Sequence, residues 1–334
     1  MMPESQPIIA VHNVGKSFDV RRSLSDRLSG RPEQKVAALN DVSLSVAKGE
    51  TVAVVGESGC GKSTLARCLV RLYGVNQGKI LFYGKDIAVM RGQEQRAYNR
   101  RVQMIFQDPY SSLNPRMTVG QTLAEALLVN RICPRSQVRE RIQDLLKLVN
   151  LPADAADRYP RQFSGGQRQR IGIARALSVN PECIIADEIL SALDVSVQAQ
   201  IINLLIELQQ KLQLSLVFVS HDLRVVRYIS HRVVVMYLGS IVETGLTEDI
   251  FNNPQHPYTK ALLAAAPEVG LRRPAERRAL TGELPSPLSP PSGCTFHPRC
   301  PQASDRCKIE RPLLLSTSDT HRTACHLFPA RADG

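Results

Sequence analysis

Apolar residues along the chain fall into short runs that have the length of buried β-strands. The clearest run, 51–55, follows the turn Lys48-Gly49-Glu50 and contains no charged residue. Helical patterns separate these runs, so the chain is predicted to fold as an α/β domain. The other predicted strands are 8–11, 42–46, 102–106, 183–186, 216–219 and 232–237.

Between 117 and 177 the apolar positions change to a helical spacing of three and four residues. This spacing predicts a mostly helical insertion, and Ser136 is predicted to cap one of its helices. The apolar face behind Ser136 is formed by Val138, Ile142, Leu145, Leu146 and Val149. A second amphipathic helix is predicted to pack on the sheet through Val197, Ile201, Leu204, Leu205, Leu208 and Leu212.

The composition changes near residue 256. Prolines become frequent after Pro254, and a proline-rich segment favours an extended appendage that docks on the main domain. We therefore predict a main domain over 1–255, with the helical insertion at about 110–178, and a separate C-terminal region over 256–334.

Charge and composition narrow the class of partner. The 334 residues include 42 Lys and Arg against 31 Asp and Glu, a net charge of +11, which indicates an anionic partner such as nucleotide, nucleic acid or anionic lipid. Aromatic residues make up only 5% and Trp is absent, so base-stacking surfaces are poorly supplied. The sequence has no apolar run near the ~18 residues of a membrane helix and no secretory pattern at its start, so a cytosolic location is expected.

A glycine-rich loop follows the 51–55 strand and matches the phosphate-binding pattern G-x-x-x-x-G-K-[ST] between a strand and a helix. In such a loop backbone N–H groups converge on phosphate oxygens and the helix N-terminus adds a positive dipole. Lys62 is predicted to neutralise the terminal phosphates, and Ser63 to hold Mg²⁺. The predicted nucleotide-binding residues are Gly56, Glu57, Ser58, Gly59, Cys60, Gly61, Lys62, Ser63 and Thr64.

Two carboxylates follow the strand at 183–186. Ligands of open α/β sheets bind at the carboxyl ends of the strands, so Asp187 is predicted to reach Mg²⁺ directly or through water. Glu188 is predicted to act as the general base that polarises the attacking water, a role worth roughly 10²–10⁴ in rate.

The segment Phe163-Ser164-Gly165-Gly166-Gln167-Arg168-Gln169-Arg170 resembles the signature motif of the ATP-binding-cassette (ABC) ATPases. The resemblance implies the P-loop α/β fold of that family, with an N-terminal antiparallel β subdomain and a helical insertion that carries the signature. It also implies that two such domains close head to tail, so that the signature of one clamps the ATP bound to the other. The residues that would clamp the partner's ATP are Ser164, Gly165, Gly166 and Gln167.

Other positions match the same family in order and spacing. Gln107 matches the glutamine loop that senses Mg²⁺ and the attacking water, His221 matches the switch histidine that contacts the γ-phosphate, and Phe18 occupies the adenine-stacking position. The loop that crosses to the partner subunit is matched by Ser191, Ala192, Leu193 and Asp194. The resemblance implies that the catalytic residues are Lys62, Gln107, Glu188 and His221, and that the Mg²⁺ ligands are Ser63, Gln107 and Asp187.

One position departs from the family pattern, which usually has proline after the catalytic glutamate. Here Ile189 follows Glu188. Proline would fix φ and help to orient the loop. Because Glu188 is retained, we expect the chain to hydrolyse ATP. The property that the replacement of proline by Ile189 bears on is the turnover rate.

Further segments resemble the oligopeptide and dipeptide importer branch of the family. They are the glutamine loop at 106–115 and the stretches at 253–263 and 282–287, which are similar to a C-terminal tail that nickel-uptake relatives share. The chain resembles the second, or F-type, ATPase subunit of dipeptide importers. The alternatives are an importer of nickel or another small solute, and a soluble ABC ATPase acting on nucleic acid, which the charge permits and the shortage of aromatic residues disfavours.

This resemblance implies an assembly and its cofactors. The chain is expected to use ATP and Mg²⁺ and to pair with a second, different ATPase subunit beneath two membrane permease subunits. A periplasmic substrate-binding protein would deliver the cargo, and nucleic acid is not an expected partner. The subunit is expected to lie peripherally on the cytoplasmic face of the bacterial inner membrane, where residues 108–115 would line the groove that grips a permease's coupling helix.

Four of the eight cysteines crowd the C-terminal region with the spacing C-x₅-C-x₆-C-x₁₇-C. A set of four cysteines serves zinc and iron–sulfur clusters alike. The tight C-x₂₋₄-C pairs usual in zinc sites are missing, and Cys300-Pro301 is similar to the Cys-Pro of ferredoxins, so the spacing favours iron–sulfur. The resemblance implies a structural [4Fe-4S] cluster, with zinc or unligated thiols as alternatives. The predicted ligands are Cys294, Cys300, Cys307 and Cys325.

Overall fold

The computed structural model of the protein describes residues 6–19, 35–108, 113–265 and 285–328. Part of the predicted permease-gripping segment, 109–112, and the start of the tail segment, 282–284, lie outside the described residues. No helix among the described residues is long and apolar enough to span a membrane.

Strands and helices are interspersed along the chain. The strands are β1 (Ile9–Asp19), β2 (Lys35–Val46), β3 (Thr51–Val55), β4 (Gln77–Phe82), β5 (Lys85–Asp86), β6 (Val102–Ile105), β7 (Cys183–Asp187), β8 (Ser215–Val219), β9 (Arg232–Tyr237), β10 (Ser240–Leu246), β11 (Leu315–Ser316) and β12 (Arg322–Thr323). The helices are α1 (Lys62–Leu69), α2 (Gly92–Arg101), α3 (Val119–Val129), α4 (Val138–Leu148), α5 (Gly165–Leu177), α6 (Val195–Leu212), α7 (Leu223–Ile229), α8 (Thr247–Asn252), α9 (Pro257–Ala265) and α10 (Asp305–Ile309). Short 3-10 turns occupy Arg135–Gln137, Ala153–Asp157, Pro160–Gln162 and His297–Arg299.

The described residues form two compact units that alternate along the sequence. The first unit takes its residues from Met1–Ile9, Val46–Thr51 and Phe82–Val219. The second takes them from Ala10–Ser45, Val52–Leu81 and Ser220–Gly334. The glycine-rich loop and the cysteine-rich C-terminal residues therefore belong to one unit, and the two acidic residues at the end of β7, Asp187 and Glu188, belong to the other.

The first unit contains three parallel strands in the order β8-β7-β6. Every residue of β7 and β8 is buried, as expected for parallel strands that are covered on both faces. The predicted insertion contains the helices α3, α4 and α5. The predicted cap at Ser136 is wrong: Ser136 lies inside the 3-10 turn, and α4 begins after Gln137, which makes no side-chain cap. Gln137 has helical backbone angles, whereas a capping side chain needs an extended residue at that position.

The second unit contains two groups of strands. In one, β2, β1 and β4 are neighbours in that order, which confirms the predicted N-terminal antiparallel subdomain. In the other, β3 pairs in parallel with β9, and β9 pairs antiparallel with β10. The C-terminal strands extend this group, because β12 pairs antiparallel with β10 and β11 with β12.

A buried carboxylate ties the C-terminal residues to β10. Glu243 is 0% exposed and accepts hydrogen bonds from the backbone N–H groups of Gln255 (2.7 Å) and His256 (3.0 Å). Its Oε1 also lies 2.7 Å from Nε2 of His321, just before β12. Burial lowers the pKa of His256 to about 4, so His256 is neutral near pH 7. One glutamate therefore satisfies polar groups from two separate segments of the C-terminal region.

We predict that Glu243→Ala lowers the free energy of unfolding by about 3 kcal/mol, because each buried donor left unpaired costs about 1–3 kcal/mol. Urea unfolding followed by circular dichroism measures this. Glu248→Ala is the control, since Glu248 is exposed and its ion pair with Arg227 spans 3.6 Å; an exposed pair contributes about 0–1 kcal/mol. Equal losses in the two variants would contradict the prediction.

Candidate active site

The glycine-rich loop connects β3 to α1 within the second unit. Gly61 caps the helix with φ of 105°, in the left-handed region that favours glycine. A Cβ atom on Gly61 would lie 2.4 Å from the carbonyl oxygen of Ala38. The sequence pattern therefore has glycine at a position where neither the backbone angle nor the space admits a side chain.

Lys62 is held against this loop. Its side chain is largely buried, and Nζ donates to the carbonyl oxygens of Gly56 (2.8 Å) and Glu57 (2.9 Å). The positive charge is thus placed beside the backbone that a phosphate would approach, at the N-terminus of α1. Ser58 and Gly59 are exposed, and Ser63 and Thr64 are half-buried in the first turn of α1.

Cys60 takes part in the loop through its backbone. Its carbonyl accepts from the N–H of Gly239 at 2.9 Å, and its side chain is fully buried. Burial raises the pKa of the Cys60 thiol, so the side chain is a neutral core group.

Gln107 and Glu188 meet in the first unit. Nε2 of Gln107 donates to Oε2 of Glu188 at 3.0 Å and lies 3.5 Å from Oγ of Ser191. The Ser191 hydroxyl also donates to the carbonyl oxygen of Glu188 at 3.0 Å. Residues predicted from three separate motifs, the glutamine loop, the acidic strand end and the partner-crossing loop, are thereby brought together.

Glu188 has a backbone conformation that is unusual for a residue with a side chain. Its φ is 46°, in the left-handed region that costs a non-glycine residue energy and that is common at functional sites. The N–H of Glu188 donates to the carbonyl oxygen of Val219 at 3.0 Å, which continues the β7–β8 pairing by one residue. The preceding Asp187 is 2% exposed and pairs in register with Val219.

Ile189 is buried in the tight turn that follows Glu188. The turn is closed by hydrogen bonds from the N–H of Ser191 to the carbonyl of Glu188 (3.2 Å) and from Leu193 to Leu190 (3.1 Å). The apolar side chain and these backbone bonds hold the turn here, where proline would fix one φ angle.

The signature residues begin helix α5. Ser164 is its N-cap: Oγ accepts from the N–H of Gln167 (3.3 Å), and Oε1 of Gln167 accepts from the N–H of Ser164 (3.0 Å). This reciprocal pair satisfies two donors at the helix start. A Cβ atom on Gly166 would lie 2.3 Å from Cγ1 of Val197, so glycine permits the close approach of α5 to α6. Gly165 lies next to Leu193.

Gln198 was not predicted as a site residue. Its side-chain amide donates to the carbonyl oxygens of Leu190 (3.1 Å) and Leu193 (3.0 Å). It therefore fixes the loop that contains Ser191, Ala192, Leu193 and Asp194 to the first turn of α6. In the sequence, the signal for this role was limited to the presence of a polar residue in the first turn of the predicted amphipathic helix.

His221 and Phe18 lie in the second unit. His221 is exposed and immediately precedes Asp222, which caps α7 by accepting from the N–H of Arg224 at 3.0 Å. Phe18, on β1, is half-buried and lies edge-on to Tyr73 with ring centroids 5.2 Å apart. The ammonium group of Lys16 lies 5.0 Å from the Phe18 centroid. Tyr73 and Lys16 were not predicted to surround this ring.

The four C-terminal cysteines are half-buried thiols in the second unit. Burial, together with the neighbouring thiols of Cys307, Cys325 and Cys300, raises the pKa of the Cys294 thiol to about 11. However, the described residues contain no group of three or more His, Cys, Asp or Glu side chains placed to hold a metal ion. The described residues therefore give no structural support for the predicted [4Fe-4S] cluster or zinc ion.

The predicted Mg²⁺ ligands offer a hydroxyl, an amide and a carboxylate. Ser63 lies at the start of α1, Gln107 follows β6 and Asp187 ends β7. Oxygen donors of these kinds suit Mg²⁺, which is held by few protein ligands together with substrate phosphates. The donor chemistry therefore fits the expected ion.

Two family profiles match the chain. The profile described as "ABC transporter" covers residues 39–191, and the profile described as "Oligopeptide/dipeptide transporter, C-terminal region" covers residues 242–307. The first match includes the glycine-rich loop, the signature and the acidic strand end. The second includes the first three clustered cysteines.

Curated relatives match over nearly the whole chain. The probable peptide ABC transporter ATP-binding protein y4tS of Sinorhizobium fredii is 56% identical, covering 89% of this chain and 84% of the relative. The oligopeptide transport ATP-binding protein AppF of Bacillus subtilis is 48% identical, covering 97% and 98%. The dipeptide transport ATP-binding protein DppF of Haemophilus influenzae is 46% identical, covering 96% and 97%.

These matches define the class: the chain belongs to the ABC ATPases, the ATP-binding proteins of ABC transporters. Within that class it carries the C-terminal region of the oligopeptide/dipeptide type. The predicted family is thereby confirmed.

Solved ABC structures share the fold. The cassette cbiO1 from Clostridium perfringens superposes with a TM-score of 0.63 at 26% identity, covering 75% of this chain and 92% of cbiO1. The dimeric cassette MJ0796, bound to ADP and Pi, superposes with a TM-score of 0.62 at 27% identity, covering 72% and 98%. The predicted α/β ABC fold is confirmed.

We predict that Lys62→Ala weakens ATP binding at least ~30-fold, because losing one partner of a buried charge contact costs about 2–5 kcal/mol. Isothermal titration calorimetry with ATP measures the affinity. Lys79→Ala, which removes an exposed lysine from β4 of the same unit, serves as the control. Unchanged ATP affinity in folded Lys62→Ala would remove the glycine-rich loop from the nucleotide site.

Proposed function

We propose that the chain is the ATP-hydrolysing subunit of a bacterial ABC importer for dipeptides or oligopeptides. The observation that carries the cargo assignment is the C-terminal region at 242–307, which is of the oligopeptide/dipeptide type. The names of relatives at 46–56% identity, which are peptide, oligopeptide and dipeptide transport ATP-binding proteins, support it.

In this proposal the chain's own residues divide the work of hydrolysis. Residues 56–64 hold the phosphates through backbone N–H groups, and Lys62 neutralises their charge. Glu188 takes a proton from the attacking water, whose oxygen bonds to the γ-phosphorus while the bond to the β–γ bridging oxygen breaks. The products are ADP and phosphate.

Three further residues would contact the reacting groups or the adenine. Gln107, hydrogen-bonded to Glu188, would orient the carboxylate and the water, and His221 would contact the γ-phosphate. Phe18 would supply an apolar face for the adenine. Mg²⁺, held by Ser63, Gln107 and Asp187, would neutralise charge on the phosphates when it is bound.

The partners belong to the proposal as well. The capping arrangement of Ser164 and Gln167 leaves the start of α5 pre-formed, and such a helix start suits the phosphates of an ATP bound to a second ATPase subunit. That subunit is proposed to be a different chain, and the pair to drive two permease subunits served by a periplasmic substrate-binding protein. The protein would then act peripherally at the cytoplasmic face of the inner membrane. The proposed domain bounds are 1–255, with the helical part at about 110–178, and 256–334.

We predict that Glu188→Gln retains ATP binding and slows turnover at least ~10²-fold, the low end for loss of a general base. The amide keeps the shape and the hydrogen-bonding capacity of the side chain but cannot accept the proton. Phosphate release by the full chain, assembled with its ATPase and permease partners in proteoliposomes, measures turnover. Glu207→Gln, on an exposed position of α6, is the control.

The same proteoliposomes test the cargo. ATP-dependent uptake of a labelled dipeptide that is lost in Glu188→Gln supports the proposal. Equal turnover in Glu188→Gln and wild type would remove Glu188 from its role. Salt-sensitive DNA binding without any peptide uptake would favour the nucleic-acid alternative.

The metal assignment is tested separately. We propose that the four clustered cysteines hold a [4Fe-4S] cluster, and the support for this is their number and spacing in the sequence. Protein purified without oxygen is predicted to contain about four iron atoms per chain and to absorb visible light, as a Cys₄-bound [4Fe-4S] cluster does. One zinc per chain without visible absorption would assign zinc, and the absence of both metals would leave unligated thiols.

A further inference from the structure

Glu57 is the second residue of the glycine-rich loop, and its N–H, its carbonyl oxygen and its carboxylate each have a hydrogen-bond partner. Its carbonyl oxygen accepts from Nζ of Lys62 at 2.9 Å, and its N–H donates to the hydroxyl of Tyr258 at 2.9 Å. Its carboxylate accepts two hydrogen bonds from Arg299, from Nη1 at 2.7 Å and from Nη2 at 3.0 Å. Two of these three partners come from the C-terminal part of the chain.

Arg299 is built into the structure rather than resting on its surface. Its side chain is only 5% exposed, and its guanidinium lies 5.9 Å from the ring centroid of Tyr237. The backbone is held by the 3-10 turn His297–Arg299. The neighbouring Phe296 is buried and packs edge-on against Tyr237 with ring centroids 5.3 Å apart. A bidentate hydrogen-bonded contact from a buried guanidinium fixes both the position and the orientation of a carboxylate.

Tyr258 is fixed by the same aromatic cluster. Its ring centroid lies 4.7 Å from that of Tyr237 and 5.4 Å from that of Phe296. Burial raises the pKa of Tyr258, so its hydroxyl stays protonated. Tyr258 and Arg299 both lie within the matched C-terminal region at 242–307.

The charge of Glu57 creates a problem for a loop that binds polyphosphate. An unpaired carboxylate next to the phosphate-binding N–H groups would repel ATP, most strongly where solvent screening is weak. Arg299 cancels this charge and keeps the carboxylate turned toward the C-terminal region. It also restrains the loop, so that less conformational freedom is lost when phosphate binds.

We propose that Arg299 is a positioning residue of the nucleotide site: by pairing with Glu57, it makes ATP affinity depend on the docked C-terminal region. The inference rests on the proposed binding of ATP by residues 56–64. It assigns the C-terminal region a part in nucleotide binding that needs no metal at the cysteines. Arg299 directly precedes Cys300. A displacement of the turn that carries Cys300 would therefore be transmitted to the glycine-rich loop through the contact between Arg299 and Glu57.

The test is a double-mutant cycle on the full chain. Arg299→Met, Glu57→Gln and the double variant are titrated with ATP in a calorimeter at fixed Mg²⁺. Arg299→Met is expected to bind ATP at least about fivefold more weakly than wild type, the lower end of coupling between two sites. The double variant is expected to return to within about twofold of Glu57→Gln, because removing the unpaired carboxylate removes the repulsion.

Arg311→Met is the matched control. Arg311 also ties the C-terminal region to the preceding strands, by donating to the carbonyl of Asn40 (3.1 Å) and to Oγ of Ser240 (3.1 Å). It is expected to lower the melting temperature without weakening ATP binding more than about twofold, since neither of its two hydrogen bonds is made to residues 56–64. Should Arg299→Met fail to fold, Arg299→Gln replaces it with the same expected loss.

Each result decides between the proposals. ATP affinity in Arg299→Met equal to wild type would overturn this inference, as would a double variant that stays as weak as Arg299→Met. An equal loss in Arg311→Met would also overturn it, because general undocking would then be the cause. If wild type itself failed to bind ATP, the proposed function would fall instead.

Discussion

A loop that is to bind phosphate through its backbone has to keep several N–H groups converged, although three of the nine residues at 56–64 are glycines without a side chain. In this protein the residues around the loop supply that order. Lys62 bonds to two loop carbonyls, Gly239 bonds to a third, and Arg299 and Tyr258 hold Glu57. Because these partners come from α1, from the turn between β9 and β10 and from the C-terminal region, the geometry of the loop depends on the packing of several parts of the second unit.

In the first unit, surrounding contacts likewise hold Glu188 in its position at the end of β7. Glu188 has a left-handed backbone angle, which the β7–β8 pairing, the turn through Ser191 and the side chain of Gln107 together hold in place. Gln198 fixes the far end of that turn. Local strain is tolerated where the surrounding contacts over-determine it, and here it turns the chain sharply so that Glu188 leaves the buried strand while Asp187 stays within it.

The C-terminal region is joined to the rest of the second unit by contacts of different kinds. Strand pairing and the buried Glu243 hold its outer part to β10, and an aromatic cluster around Tyr237 holds the part that reaches the loop. Removing Glu243 and removing Arg299 should therefore have different effects, the first on stability and the second on nucleotide affinity.

Much of the molecule could be predicted from the sequence alone. The buried strands, the helical insertion and the glycine-rich loop follow from short-range patterns, because hydrophobic periodicity and glycine spacing are local properties. The boundaries were less accurate. The strand predicted at 8–11 runs from Ile9 to Asp19, since its later residues mix buried, half-buried and exposed positions and give no continuous apolar run, and Ser136 does not cap α4.

The amino-acid sequence by itself determined which residue types bear the chemistry: a lysine after a glycine loop, a glutamate at a strand end, and a serine at the start of a helix. Only the tertiary structure decided which of them touch. Gln107 meets Glu188 across 81 positions of sequence, and Arg299 meets Glu57 across 242. Contacts over such separations arise from strand order and packing, which no local spacing encodes, so the partners of the charged residues became known only in the folded chain.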